Sequence, residues 1–314
     1  MTSEKIQITD RDEWHRRRAK NIGGSEIAAL FDLQPDYAMS AYELWQVKAG
    51  RIPAPEVAGE RPAWGLRLEL AVAEAAAEKE GWEIEQGGHV EHPTVRGAAC
   101  TLDFTVHGDP RGLGVLECKN TDWMVHRRTW TDDEPPPHIL LQLQHQLACT
   151  GYGWGAVACL VGGNDLRVYH YQRNDQVVAK IESLVAAFWR SIEDGRPLPK
   201  IDWSASTGRA LAALHRDDNG EMVSLEGDNH LAEVCAQFLH ARDRRRTAEQ
   251  DEQAAKNIIM EKVGAHRGAF CDGFTISAPT VKATPDRIFT EAMVGDVIKG
   301  RSGYRRLSVK ERTQ

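Results

Sequence analysis

Cys100-Thr101-Leu102-Asp103-Phe104-Thr105-Val106, a turn region marked by Gly108, Pro110, Gly112 and Gly114, and the run Val115-Leu116-Glu117-Cys118-Lys119 decide the fold. Both flanks are rich in apolar and β-branched residues, and the glycine and proline punctuation between them reads as a hairpin. Asp103 and Glu117 therefore fall on adjacent strands. Side chains alternate along a strand, so Glu117 and Lys119 share a face while Cys118 points away from it into packing. A carboxylate inside the apolar run Val115-Leu116 is costly to bury without a partner or a metal. Two carboxylates and the backbone carbonyl of Cys118 make an oxygen-rich, partly open site that suits Mg²⁺, with Mn²⁺ as the alternative. The Lys119 ammonium beside them can orient a water and stabilise negative charge. This is the equipment for hydrolysing a phosphodiester. The competing reading is an exposed Glu-x-Lys on a strand edge, which is common in proteins of every kind.

The flanking segments add to the same face. Trp64 to Lys79 places Leu68, Val72 and Ala75 at helical spacing, and this helix carries Glu69, just ahead of the sheet, where it can hold a water of a metal shell. In a glutamate-rich helix an ordinary surface residue is the bland alternative. Strands are expected at 82–85 and 89–95. Pro135-Pro136-Pro137 ends a polar loop and opens a helix from His138 to Thr150 that contains Gln142, Gln144 and Gln146. Gln142 and Gln144 lie on nearly opposite helical faces, so only one can serve, and Gln142 is the candidate. Strands at 154–161 and 166–172 and an amphipathic helix from Gln176 to Glu193 follow. The expected fold is α/β, a central sheet bearing the carboxylates with helices on both faces.

Toward the N-terminus, residues 14–50 read as a helix, the Gly23-Gly24 turn, a short helix, a loop and another helix. Ser25 stands where a helix N-cap is expected. A helix N-terminus with a hydroxyl, and Arg18 just upstream, makes a phosphate site; capping alone would explain Ser25 but not Arg18. Toward the C-terminus, the stretch 195–206, with Pro197 and Pro199, marks a boundary between a nuclease core at 1–196 and an extension at 197–314. The extension holds a long polar helix from about His230 to Val263, a hairpin at 268–277 and a last strand at 304–310.

Composition sets outer limits. The 314 residues carry a net charge of −7, with 41% hydrophobic and 27% charged residues. Basic clusters at 16–18, 127–128, 242–246 and 301–312 supply the local positive charge that phosphate binding needs. No apolar run approaches the ~20 residues of a membrane span, and the first residues carry no signal-peptide pattern. The six cysteines are scattered, which argues against zinc, iron–sulfur clusters or a disulfide framework and suits a reducing cytoplasm. His89-x-x-His92 lacks the further ligands a zinc site requires.

Together, Arg18 with Ile22-Gly23-Gly24-Ser25-Glu26, Leu44-Trp45, Trp64-Gly65 with Glu69, Asp103, Glu117-Cys118-Lys119 and Gln142-Leu143-Gln144-His145-Gln146 resemble, in order, the YqaJ-like viral recombinase nucleases. These belong to the wider group that includes phage lambda exonuclease, within the PD-(D/E)xK restriction-endonuclease-like superfamily. The resemblance covers about residues 14–194. It implies a restriction-endonuclease-like central mixed sheet flanked by helices, and a Mg²⁺-dependent exonuclease that degrades one strand of linear duplex DNA from its 5′ end. It implies Asp103, Glu117 and the Cys118 carbonyl as metal ligands, Lys119 positioning the nucleophilic water, and Glu69 and Gln142 in support. It further implies a terminal 5′-phosphate pocket of Arg18, Ser25 and Thr101, a ring-shaped homotrimer threaded by DNA, and a single-strand annealing recombinase as partner. One feature departs from the family pattern: Leu102 and Phe104 replace the usual proline and glycine around the aspartate.

Two other readings share these residues. An endonuclease on the same fold would use the same metal chemistry without the phosphate pocket. A catalytically silent DNA-binding or assembly module would keep the fold, but has no use for an intact Asp103, Glu117 and Lys119.

Overall fold

A computed structural model describes residues 5–6, 11–55, 59–130, 134–196 and 200–280. The chain divides into two compact units, 1–215 and 216–314. The first opens with β1 (Lys5–Ile6), α1 (Arg11–Ala19), a 3-10 turn (Ile27–Phe31), α2 (Ala41–Lys48) and α3 (Glu60–Glu80). Strands β2 (Glu83–Gln86), β3 (His89–Glu91), β4 (Ala99–Thr101), β5 (Phe104–His107) and β6 (Gly114–Thr121) follow. Then come α4 (Trp123–Thr129), α5 (Pro137–Thr150), β7 (Trp154–Val161), β8 (Asp165–Gln172), α6 (Asp175–Glu193) and α7 (Ala205–Leu214).

The central sheet has the order β2-β5-β6-β7-β8, with β6 and β7 parallel and the other neighbours antiparallel. The parallel pair is joined through α4 and α5, the kind of crossover that parallel strands require. Alternation along β6 and β7 divides the core in two. Val115, Val157 and Cys159 pack with Leu143 and Leu147 of α5, while Leu116, Ala156 and Ala158 pack with Val72, Ala73 and Ala76 of α3. The mixed sheet flanked by helices is therefore the fold that the sequence led us to expect.

Two expectations need correction. The run Cys100–Val106 is not one strand. It breaks at Leu102-Asp103, so that β4 joins a separate sheet, β1-β3-β4, while β5 enters the central one. The crossing point is tight: a Cβ on Gly87 would stand 2.1 Å from the Leu102 carbonyl oxygen. The polar loop before the three prolines contains α4, capped by the Asp122 carboxylate, which accepts from Met124 N–H at 2.8 Å. The first compact unit runs past residue 196. Its α7 packs Ala210 against Tyr42 and Ile52, and the Ser206 hydroxyl donates to the buried Glu43 carboxylate.

Among the described residues, the second unit holds the 35-residue α8 (Asn229–Val263) and the hairpin β9 (Gly268–Cys271) with β10 (Phe274–Ser277), as expected. The last expected strand, 304–310, and the basic stretch 301–312 lie outside the described residues.

Candidate active site

Glu117 is the centre of the site. Strand β6 carries it on the face toward α5, and it is 2% exposed. Its Oε1 accepts from Lys119 Nζ and from Gln142 Nε2, each at 2.5 Å, and its Oε2 accepts from Gln146 Nε2 at 2.6 Å. Lys119 Nζ also donates to Gln142 Oε1 at 3.3 Å. Alternation on β6 and helical spacing on α5 thus converge on one carboxylate. Gln146 was not singled out from the sequence, although it lies one turn beyond Gln142 on the same helical face. Gln144 faces elsewhere and ties the β8 end to Asn174 N–H.

Asp103 sits at the break between the two sheets, not on a strand. Its Oδ2 accepts from Cys118 N–H at 2.8 Å, which brings its carboxylate against the peptide that links Glu117 to Cys118. With Glu69, Gly65, Leu68 and Val72 of α3, and with Glu117, Cys118, Lys119, Asn120 and Gln142, it lines a cleft of about 350 Å³. Burial, then repulsion by Glu117, pushes the Asp103 carboxyl well above the usual range. Burial and Glu117 likewise raise Glu69. Burial alone would lower Lys119, but Glu117 and Asp103 outweigh it and hold the ammonium above its ordinary value. Negative charge in the cleft therefore exceeds what one lysine balances.

That imbalance fits a divalent cation held by hard oxygen ligands. Asp103, Glu117 and the Cys118 carbonyl would hold it, leaving positions for water, as Mg²⁺ prefers. Among the described residues no three His, Cys, Asp or Glu side chains are grouped to hold a metal by themselves. His92 is engaged otherwise: its Nδ1 accepts from Thr94 and Val95 N–H, and its Nε2 meets Glu182 at 3.2 Å.

Leu102 and Phe104 are both buried, at 3% and 4% exposure, in the cores on opposite faces of the sheet. Phe104 packs beneath α3 and does not line the cleft.

A second, smaller pocket of about 110 Å³ adjoins the cleft, with Gln142 common to both. Arg18, Gly24, Ser25, His89 and Thr101 line it. The segment bearing the glycines is pinned to the β4 entry by Ile22 N–H to Gly97 O at 2.7 Å and Ala99 N–H to Ile22 O at 3.2 Å. This explains how Thr101 comes to face Arg18 and Ser25. His89 pairs across the ladder with Thr101, and burial holds its imidazole below the usual value. Arg18 Nη2 lies 3.5 Å from Ser25 Oγ. The capping expectation for Ser25 is corrected: the 3-10 turn has Glu26 at its cap position without a side-chain cap bond, and Ser25 is exposed. Its hydroxyl faces the pocket instead.

Known proteins resemble this chain in sequence and in fold. Uncharacterized protein YqaJ of Bacillus subtilis (strain 168) is 25% identical, over 99% of both chains. The alkaline exonuclease LHK-Exo from Laribacter hongkongensis is 24% identical, with a TM-score of 0.48, over 59% of this chain and 93% of that one. The same exonuclease in complex with dAMP aligns at 25% identity with a TM-score of 0.49 over the same shares. Residues 13–153 match the family model for the YqaJ-like viral recombinase domain, so this part of the chain is similar to that family.

Proposed function

We propose that this protein is a Mg²⁺-dependent exonuclease that degrades linear duplex DNA from a 5′-phosphorylated end, leaving 3′ single strands for annealing. The observation that carries this reading is the shared wall. Gln142 borders both the carboxylate cleft and the Arg18–Ser25–Thr101 pocket. A terminal phosphate anchored in the small pocket would set the adjoining phosphodiester over the carboxylates, which an endonuclease has no reason to require.

A bound Mg²⁺ would supply Lewis-acid neutralisation at phosphorus and acidify the attacking water. Asp103 and Glu117 carry the negative charge that retains it. Lys119, fixed by Glu117 and Gln142, holds a proton at Nζ and presents it toward the attacked phosphate, where charge develops. Glu69, which lines the same cleft, would hold a water. Arg18, Ser25 and Thr101 supply a guanidinium and two hydroxyls for the terminal phosphate.

The reading includes a single-strand annealing recombinase as partner, a ring-shaped homotrimer and action in the cytoplasm. Among the described residues no helix is long and apolar enough to cross a membrane.

Digestion of linear 5′-phosphorylated, linear 5′-hydroxyl and covalently closed circular duplexes with Mg²⁺, alongside Lys119→Ala, tests it. Rapid loss of only the 5′-phosphorylated linear DNA, abolished in the variant, is expected. Equal cutting of the circle would make the protein an endonuclease. No cutting with Mg²⁺ or Mn²⁺ would favour the silent binding module.

A further inference from the structure

Behind the small pocket lies a pair of buried opposite charges that the chemistry above does not use. The side chains of Glu26 and Lys48 are 5% and 2% exposed, and Lys48 Nζ stands 2.9 Å from Glu26 Oε2. Taking two charges out of water is unfavourable, and an apolar pair of similar size often serves stability as well or better. The arrangement therefore calls for a role other than stability.

Its connections supply one. Glu26 Oε2 also accepts from Gly23 N–H at 2.9 Å, and Glu26 Oε1 accepts from Arg18 Nε at 3.3 Å. Lys48 Nζ donates to the carbonyls of Arg18 and Asn21 at 2.6 and 2.7 Å. The end of α1, the glycine turn and α2 are tied at one point. The turn in question touches the catalytic side: a Cβ on Gly24 would come within 3.1 Å of Gln142 Cγ.

Charge makes the pair more than a brace. Glu26 fixes the Nε edge of Arg18, yet its carboxylate beside an anion pocket would repel a phosphate and cancel the guanidinium. Lys48 supplies the missing positive charge from behind, out of reach of the ligand. Arg18, Glu26 and Lys48 together then leave one net positive charge at the pocket.

We infer that Glu26 and Lys48 are a buried positioning pair for terminal-phosphate recognition: Glu26 orients Arg18 and the glycine turn, and Lys48 neutralises Glu26 so that Arg18's charge remains available to the phosphate. This rests on reading the small pocket as a 5′-phosphate site.

The test is equilibrium binding in EDTA, where no hydrolysis occurs, of fluorescent duplexes with 5′-phosphate or 5′-hydroxyl ends. It compares wild type, Lys48→Met and Glu26→Gln/Lys48→Met, with a thermal midpoint for each. Wild type should prefer the phosphorylated end. Lys48→Met, with the pocket's net charge at zero, should lose about tenfold in affinity for that end and little for the hydroxyl end. The double variant restores the net charge and should recover most of the loss, a rescue that a purely structural role would not give. Equal weakening toward both ends, or a double variant no better than Lys48→Met, overturns the inference. Should Lys48→Met not fold, the double variant carries the test, and loss of its phosphate preference overturns the inference. Absence of any preference in wild type overturns the pocket reading and this inference with it. Failure of the nuclease reading appears separately, as no digestion with Mg²⁺ by a protein that still prefers phosphorylated ends.

Discussion

Gln146 on α5 donates to Glu117 Oε2 on β6 at 2.6 Å, and both residues are almost wholly buried. Together with Gln142 on Oε1, this bond fixes the carboxylate by both oxygens, so that the rotamer that faces Asp103 is set before any ligand arrives. Groups that orient a metal-binding carboxylate matter nearly as much as the carboxylate itself. Gln146→Ala should therefore lower kcat by about 10–100-fold with little change in KM for DNA. The buried acceptor left behind should destabilise the fold by about 1–3 kcal/mol in urea titrations. A variant with wild-type turnover would remove Gln146 from the site.

The sequence made much of this centre legible, and its limits have physical reasons. Glu117 and Lys119 share a face because strand alternation is a local property, and the helix bearing Gln142 follows from its prolines and periodicity. The break at Leu102-Asp103 was not legible. The run Cys100–Val106 looks locally continuous, and the close passage of Gly87 that divides it is a tertiary event. Helix α4 escaped notice because Trp123, Met124 and Val125 are all exposed and only His126 is buried, leaving no amphipathic signal. Lys48 looks like an ordinary last-turn lysine of α2. Only the folded chain shows it buried against a glutamate from a separate segment.

Among the described residues that line the cleft, Lys119 is the cation beside Glu117, whose charge raises both Asp103 and Glu69. Lys119→Ala should reduce cleavage by at least about 10²–10⁴-fold, because both charge stabilisation and orientation of the water are lost. Lys119→Arg should not restore it, since a planar guanidinium cannot replace a compact ammonium held at 2.5 Å from Glu117 Oε1. Single-turnover rates on 5′-phosphorylated duplex check both, and an active arginine variant would argue against this close fit.

Asp103 supplies a pH test in the metal-free protein. Its folded-state value is raised by burial and Glu117, so the folded state holds this proton more tightly than the unfolded chain. The stabilisation is fully present below the ordinary aspartate value of about 4 and is lost as pH rises through the raised folded value. In EDTA, Asp103→Asn, which keeps an acceptor for Cys118 N–H, should be more stable than wild type at neutral and alkaline pH. The difference should shrink as pH falls. Mg²⁺ should raise the thermal midpoint of wild type more than that of the variant. Equal responses of the two proteins to pH and to Mg²⁺ would mean that Asp103 neither carries buried charge nor contributes to metal binding.

Helix α7 follows the proline-containing stretch, yet Ser206, Thr207 and Arg209 bind back to α2 and its cap residue Ser40: Ser40 N–H donates to Ser206 Oγ at 2.6 Å, and Arg209 Nη2 stands 2.9 Å from Glu43 Oε2. Removing α7 would expose Tyr42 and Ile52 and leave the buried Glu43 and Ser40 without these partners. It would also loosen α2, which carries Lys48 behind the phosphate pocket. A chain ending at His215 should fold with a midpoint close to that of the full chain. One ending at residue 200 should lose about 2–4 kcal/mol and should show weakened preference for 5′-phosphorylated ends. Urea denaturation and end-binding on the two truncations measure this directly. Equal stability would place the boundary back at the prolines, whereas equal stability with altered end preference would separate the brace on α2 from its effect on the pocket.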